Sequence, residues 1–509
     1  VTFTTPAAPT ATFDVTDPSI TATFRAAILI FTRETSDGTD NDHAVMGVGV
    51  IADESSATNA NQNSAQCTQI SNASRTAPLD NQDHTGGDAS SRCLVANQGI
   101  GITRDIIAGF VSGVTGGFRL NFLTTTVRCK CTAIIFAGLA RASVLQDAES
   151  GQTHVAVGVA SGGGNFKPDA LIWLSSDGAI NVDVTDACPN LGFAVNPTGG
   201  IQQAAAYANF DSVTEPTDSD GEVSTNSCAL AFRAGVRTTR HATVSSFDAT
   251  GITWGADSGT MNCAILALKF SGNVRLSAKT FAVAASTGLQ AFNAFGFTPD
   301  LVLGQVTRIA SADTQTDAIG AAGYFVTGRY GSRALTMHAE EGKTNVGAAA
   351  FNTHTRQEDV ALLLYGDTGT VIQRATWGGA SGSGGFSLDF STASAGSFIT
   401  ALGIQIIPNP PLARLRRRTS RKPARARRTR AAFPFGKKAA STLRFYRAAV
   451  RMRWRQYVRT LWRRRKTQPL TVEQEIGAEL EESSYGRVSS PGLLWGRIAS
   501  GPQREVDEE

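Results

Sequence analysis

Asn165-Phe166-Lys167-Pro168-Asp169-Ala170-Leu171-Ile172-Trp173-Leu174 and Gly296-Phe297-Thr298-Pro299-Asp300-Leu301-Val302-Leu303 share one layout. A phenylalanine is followed one residue later by Pro-Asp, and the pair leads into an apolar, strand-like run. A diverged version precedes both: Thr23-Phe24-Arg25 leads into Ala26-Ala27-Ile28-Leu29-Ile30-Phe31, without the Pro-Asp pair. Further along each copy, a glycine opens an alternating run: Gly117-Phe118-Arg119-Leu120, Gly251-Ile252-Thr253-Trp254 and Gly385-Phe386-Ser387-Leu388. After a small polar turn comes a more fully apolar run: Ala133-Ile134-Ile135-Phe136, Ala264-Ile265-Leu266-Ala267 and Ala401-Leu402-Gly403-Ile404. Half-exposed strand, turn and buried strand is the pattern of a hairpin on a core.

The repeat therefore predicts an all-β body of three tandem β-sandwich modules with jelly-roll-like or Greek-key-like connections, at residues 1–140, 141–272 and 273–408. Length agrees, because 509 residues exceed what one hydrophobic core serves. So does composition, with 51 glycines and only 18% charged residues. Three similar modules in one chain can pack around a pseudo-threefold axis or form a row, and either suits a protein that holds a shape.

The net charge of +4 conceals an asymmetry. Residues 414–466 hold 18 Arg and 4 Lys with no Asp or Glu, leaving 25 basic residues against 43 acidic ones elsewhere. The seven cysteines are unevenly spaced and do not form a disulfide framework pattern. Cys129 and Cys131 project to one face of an expected strand and read as small hydrophobes, while Cys67 and Cys93 fall in a polar, loop-like stretch. No signal-peptide pattern opens the sequence, and no apolar run approaches the roughly 20 residues needed to cross a bilayer.

Few residues are arranged for catalysis. The histidines at 43, 84, 154, 241, 338 and 354 lack metal-ligand spacing and read as loop or surface residues. The glycine-rich stretches 161–164 and 378–385 lack a following Gly-Lys-Ser/Thr and read as turns. An acidic loop follows the Phe-initiated strand in each copy: Asp37 with Asp40 and Asp42, Asp177 with Asp183 and Asp186, and Asp313 with Asp317. These carboxylates, with Asp218 and Asp220, are weak calcium candidates beside the simpler reading as solvated turns. No other metal and no cofactor is expected.

Beyond Pro408-Asn409-Pro410-Pro411 the composition changes. Residues 409–440 read as a basic flexible linker, 441–466 as a basic amphipathic helix and 467–509 as an acidic tail with a docking peptide. In the helix Leu443, Tyr446, Val450, Trp454, Tyr457 and Leu461 recur at three and four residues, one face suited to docking. Arg447, Arg451, Arg455, Arg459 and Arg463 form a stripe that repels itself until an anion neutralises it. Together with Arg414, Arg416, Arg417, Arg418, Arg421, Arg425, Arg427, Arg428 and Arg430 they make a polyanion-binding arm. Nucleic-acid phosphates, an acidic protein surface and an anionic membrane surface all fit, the membrane least well. Trp495, in Pro491-Gly492-Leu493-Leu494-Trp495, is a second docking candidate.

The segments Phe166-Lys167-Pro168-Asp169-Ala170-Leu171-Ile172 and Phe297-Thr298-Pro299-Asp300-Leu301-Val302-Leu303 resemble repeats of bacteriophage structural proteins, notably tail-fibre and other virion-surface proteins. The resemblance covers the second and third modules best and the arm not at all. It implies a β-rich component of the virion, with other virion proteins and further copies of itself as partners, and carries over no catalytic residue. The expectation is a non-enzymatic structural protein of tail, fibre, neck or capsid surface, anchored by its arm. Two alternatives stand beside it: a coat protein whose arm binds the packaged genome, and a carbohydrate-binding module protein.

Overall fold

In the computed structural model, every regular element among the described residues is a β-strand. The description covers residues 1–407 except 33–35, 39–42, 54–61, 71–80, 86–91, 99–102, 126–127, 151–153, 162–163, 177–182, 185–189, 212–217, 234–237, 315, 318–320, 340–352, 366–369, 383 and 395. The expected basic linker, helix and acidic tail at 409–509 lie outside the described residues.

The strands fall into three sets with one wiring. The first set is β1 (Thr2–Thr4), β2 (Thr10–Thr16), β3 (Phe24–Thr32), β4 (His43–Ala52), β5 (Gln62–Ile70), β6 (Asn81–Thr85), β7 (Leu94–Gln98), β8 (Thr103–Val114), β9 (Gly117–Thr125) and β10 (Lys130–Ala137). The second begins with β11 (Leu139–Ser150), β12 (Val155–Gly158), the short pair β13 (Ala160–Ser161) and β14 (Gly164–Asn165), β15 (Ala170–Ser176) and β16 (Asp183–Val184). It continues with β17 (Asn190–Val195), β18 (Gln202–Asp211), β19 (Asp218–Ser224), β20 (Ala229–Arg233), β21 (Thr238–Asp248), β22 (Gly251–Ala256) and β23 (Thr260–Phe270). The third begins with β24 (Val274–Val283), β25 (Gly288–Phe292), β26 (Leu301–Thr307), β27 (Thr316–Asp317), β28 (Ala321–Gly328) and β29 (Arg333–Ala339). It ends with β30 (Thr353–Glu358), β31 (Leu362–Tyr365), β32 (Val371–Ser381), β33 (Gly385–Ala393) and β34 (Ser397–Ile406).

Each set makes a large and a small antiparallel sheet. The large sheets run β1-β10-β3-β4-β5-β6, β11-β23-β15-β17-β18-β19 and β24-β34-β26-β28-β29-β30. The small ones run β2-β9-β8-β7, β12-β22-β21-β20 and β25-β33-β32-β31. Successive strands such as β3-β4-β5-β6 are hydrogen-bonded neighbours, whereas a jelly roll sends successive strands to alternate sheets. The last strand of each set crosses from the small sheet by a three- or four-residue connection and lies beside the central strand of the large one, β10 beside β3, β23 beside β15 and β34 beside β26.

The apolar runs that open the sequence reading are the central strands β3, β15 and β26, and they are apolar throughout because both of their faces are buried. On β3, Ala27, Leu29 and Phe31 meet the small sheet with Phe118, Leu120 and Phe122, while Ala26, Ile28 and Ile30 point the other way. That second face joins a core to which all three large sheets contribute, including Ile172 and Leu174 from β15, Leu303 from β26, and Phe193, Tyr324 and Met337. Three private cores between sheets and one shared core behind them therefore organise the body.

Several sequence expectations change. The loop-like stretch around Cys67 contains two strands, β5 and β6, and Cys67 lies on β5. Histidines 43, 84, 241, 338 and 354 are on strands rather than in loops, and His154 directly precedes β12. Cys129 and Cys131 are both buried in the first private core, as is Cys93.

Candidate functional site: the joints between the sandwiches

The acidic loops form joints. In each set, described residues of the connection after the central strand (between β3 and β4, β15 and β17, and β26 and β28) lie against the outermost strand of the preceding large sheet. From the second set, β16 extends the first sheet, with Asp183 opposite His84 and Val184 opposite Asp83. From the third set, β27 extends the second sheet, with Thr316 opposite Gly221 and Asp317 opposite Asp220. From the first set, residues 36–38 lie on the third sheet, and the Gly38 N–H donates to the Gln357 carbonyl of β30 at 3.0 Å. The cycle is closed: second onto first, third onto second, first onto third.

The joints also agree in detail. At the second, the Asp313 N–H donates to the Val223 carbonyl of β19 at 2.7 Å. Pairing places Val223 opposite Ala206 and Gln357 opposite Leu335, which are matching positions on β18 and β29. Gly38 and Asp313 are therefore equivalent, and both have positive φ, +75° and +55°. Asp313 is the one described non-glycine residue in that conformation, which L side chains adopt at some cost except where a short polar side chain bonds locally. Its carboxylate bonds across the joint instead, accepting the Thr225 N–H and hydroxyl at 2.6 Å each.

At the third joint the strap's aspartate meets cations, where Asp313 at the second meets Thr225. Asp37 accepts from Lys130 Nζ at 2.7 Å through one oxygen and from Arg333 through the other. Arg333 also binds Asp359 at 2.8 Å, and its side chain is only 4% exposed. The Arg333 hydrogen bond, helped by Lys130 and opposed by partial burial, holds the Asp37 carboxyl below the usual carboxylate range. Burial works against the Arg333 charge, and the two aspartates more than offset it. Asp37, a calcium candidate by sequence, has both oxygens engaged by cations. Asp218 and Asp220 lie on β19, Asp40 and Asp42 lie outside the described residues, and no group of metal-ligating side chains occurs among the described residues.

Two polar corners tie the sheets together, and neither is visible in the sequence. In the third sandwich the buried Glu358 accepts from Arg356 and Arg374 at 2.6 Å each. At the corresponding corner of the second, Ser227 Oγ lies 3.0 Å from His241 Nδ1, and His241 Nε2 lies 3.3 Å from Glu222. Serine, histidine and acid in series have the composition of a hydrolytic triad. The geometry differs: Ser227 is 3% exposed, its hydroxyl is also bonded by Ser224 at 2.9 Å, and the serine faces Nδ1. The recurrence of a side-chain tie at the same corner makes this a brace across β19 and β21.

The arginines proposed for polyanion binding between 414 and 463, and the docking residues Leu443, Tyr446, Val450, Trp454, Tyr457, Leu461 and Trp495, lie outside the described residues. No helix among the described residues is long and apolar enough to cross a membrane. A scan against models of known protein families gives no match to this chain. A search of curated proteins gives no match either.

Proposed function

We propose that the chain is a structural protein of a bacteriophage virion, a component of tail, fibre, neck or capsid surface. Its three sandwiches act as the rigid body, and its arginine-rich arm attaches that body to the particle. The observation that carries this reading is the closed cycle of joints, from β16 on β6 through β27 on β19 to Gly38 on Gln357. A trimer of separate chains dissociates on dilution, whereas three modules in one chain keep their neighbours at high effective concentration. That property suits a part that must keep its shape outside a cell at low concentration.

The arginine stripe of the arm favours a second reading, a coat protein whose arm neutralises packaged nucleic acid. Removing residues 412–509 separates the two. Under the leading reading the truncated protein is lost from particles that remain filled. Under the second it stays in particles that contain less nucleic acid. Immunogold imaging and nucleic acid content per particle measure both, and a protein absent from purified virions refutes both.

A further inference from the structure

We propose that the outer edge of the third sandwich, strand β30 with Arg333 beside it, is a receptor for the 36–38 strap of a second copy of this chain as well as of its own. The first two joints connect sandwiches that the peptide also connects, through Gly138 between β10 and β11 and through residues 271–273 between β23 and β24. The third joint connects sandwiches at opposite ends of the body's sequence. Nothing covalent near it determines which copy supplies the strap.

Recognition at this joint has a backbone part and a charge part. The backbone part is the Gly38 to Gln357 hydrogen bond, the same bond that Asp313 makes to Val223. Addition of a segment to an exposed sheet edge is a general mode of association between chains. The charge part belongs to this joint alone of the two described in side-chain detail: Arg333 receives Asp37, where the second joint offers Thr225 to Asp313. Arg333 is buried and holds Asp359 through one nitrogen, so an edge without a strap leaves the nitrogen that faces Asp37 without its carboxylate, and that position selects an acidic strap. A second copy presents the same residues in the same order. Closure within one chain and exchange between two chains then differ only in effective concentration and in strain at the Gly138 hinge, whose φ is +77°.

Charge reversal tests this. Asp37→Arg and Arg333→Asp each place like charges at the joint within one chain. Mixed together they restore opposite charges at both joints of a two-chain ring. Light scattering after size exclusion is expected to give twice the chain mass for the refolded equimolar mixture, and the mass of one chain for Asp37→Arg/Arg333→Asp in a single polypeptide. A mixture that stays at one-chain mass while the double variant closes normally overturns the proposal. Should the reversed chains fail to fold, the unmodified chain decides. Two differently tagged forms are partly unfolded and refolded together at rising concentration. Co-elution of both tags at twice the chain mass supports exchange, and its absence at every concentration overturns it. The inference does not depend on a virion location.

Discussion

Asp300 explains why the Pro-Asp pair recurs. Its N–H donates to the Ile404 carbonyl at 2.8 Å, its carboxylate accepts the Ile406 N–H at 2.7 Å, and Arg329 approaches the same carboxylate at 3.2 Å. Asp169 repeats the device on Leu268, Phe270 and Lys269. The motif fastens the entries of the central strands β15 and β26 to the exits of the last strands in their sets, β23 and β34. The proline beforehand has no N–H to leave unsatisfied there. Asp300→Ala is expected to lower stability by about 1–2 kcal/mol, since it removes a charge-assisted bond and strands the Ile406 N–H. Arg329→Ala should cost less, because that side chain is more than half exposed. Thermal melts of the two variants check the order, and equal shifts would contradict it. The glycines Gly117, Gly251 and Gly385 have an equally local cause. A Cβ at each would collide with the carbonyl oxygen of Val15, Val157 and Phe292 respectively, on the neighbouring strand of the small sheet.

Elements were legible where both faces or one full face are apolar, and illegible where they are polar or very short. The central strands could be read directly, because burial on two sides leaves an unbroken apolar run. The glycine-initiated strands were also legible, but the expected hairpins are not formed: β9, β22 and β33 lie in the small sheets, and the apolar strands that follow them, β10, β23 and β34, cross to the large ones. β5 and β6 could not: Gln62-Asn63-Ser64-Ala65-Gln66-Cys67 and Asn81-Gln82-Asp83-His84-Thr85 lack an apolar period, and the pairing of β5 with β4 and of β6 with β5 supplies what the pattern does not. The sequence comparison also slips by one residue in the second copy. Ala133 stands opposite Leu29 and Ile265 opposite Trp173, so Ala133 matches Ile265 rather than Ala264. Bulges were hidden for a similar reason. Gln62 and Gln203, matching residues of β5 and β18, reach across the sandwich to the backbone of Phe110 and Val244, each beside a register shift in β8 or β21. The straps are only a few residues long, below any periodic signal, and only their aspartates stand out in the sequence. At the charged strap the pH dependence has a definite sign. The folded carboxyl of Asp37 lies below its unfolded value, which is about 3.9. Its contribution is therefore present in full above that value and is lost as the pH falls through the lower folded value. In urea titrations the margin of the parent over Asp37→Asn is expected to shrink from neutral pH toward pH 2, and a margin that stays constant would refute the assignment.

At the scale of the whole body, the shared core decides how the sandwiches come apart. Ala26, Ile28 and Ile30 of the first set, Ile172 and Leu174 of the second, and Leu303 and Leu402 of the third occupy one cluster. Exposing any sandwich removes a wall of the other two, so residues 1–407 should melt in a single calorimetric transition although the chain contains three private cores. Ile172→Ala, at 0% exposure, is expected to lower that transition as a whole by about 2–5 kcal/mol. Two resolved peaks, with only one displaced, would show that the sandwiches unfold independently. The joints have a further consequence. Every strap passes from a sandwich to the one before it, so the body has a sense of rotation but no privileged starting point. A circularly permuted chain that begins at Leu139, continues to Ile407 and returns through a short artificial linker to Val1 and on to Gly138 keeps every sheet and every joint. It should reach the same fold as residues 1–407, with matching far-ultraviolet circular dichroism and hydrodynamic radius. Failure of that permutant, with a permutant opened inside β3 as the negative control, would mean that order of synthesis matters to this ring.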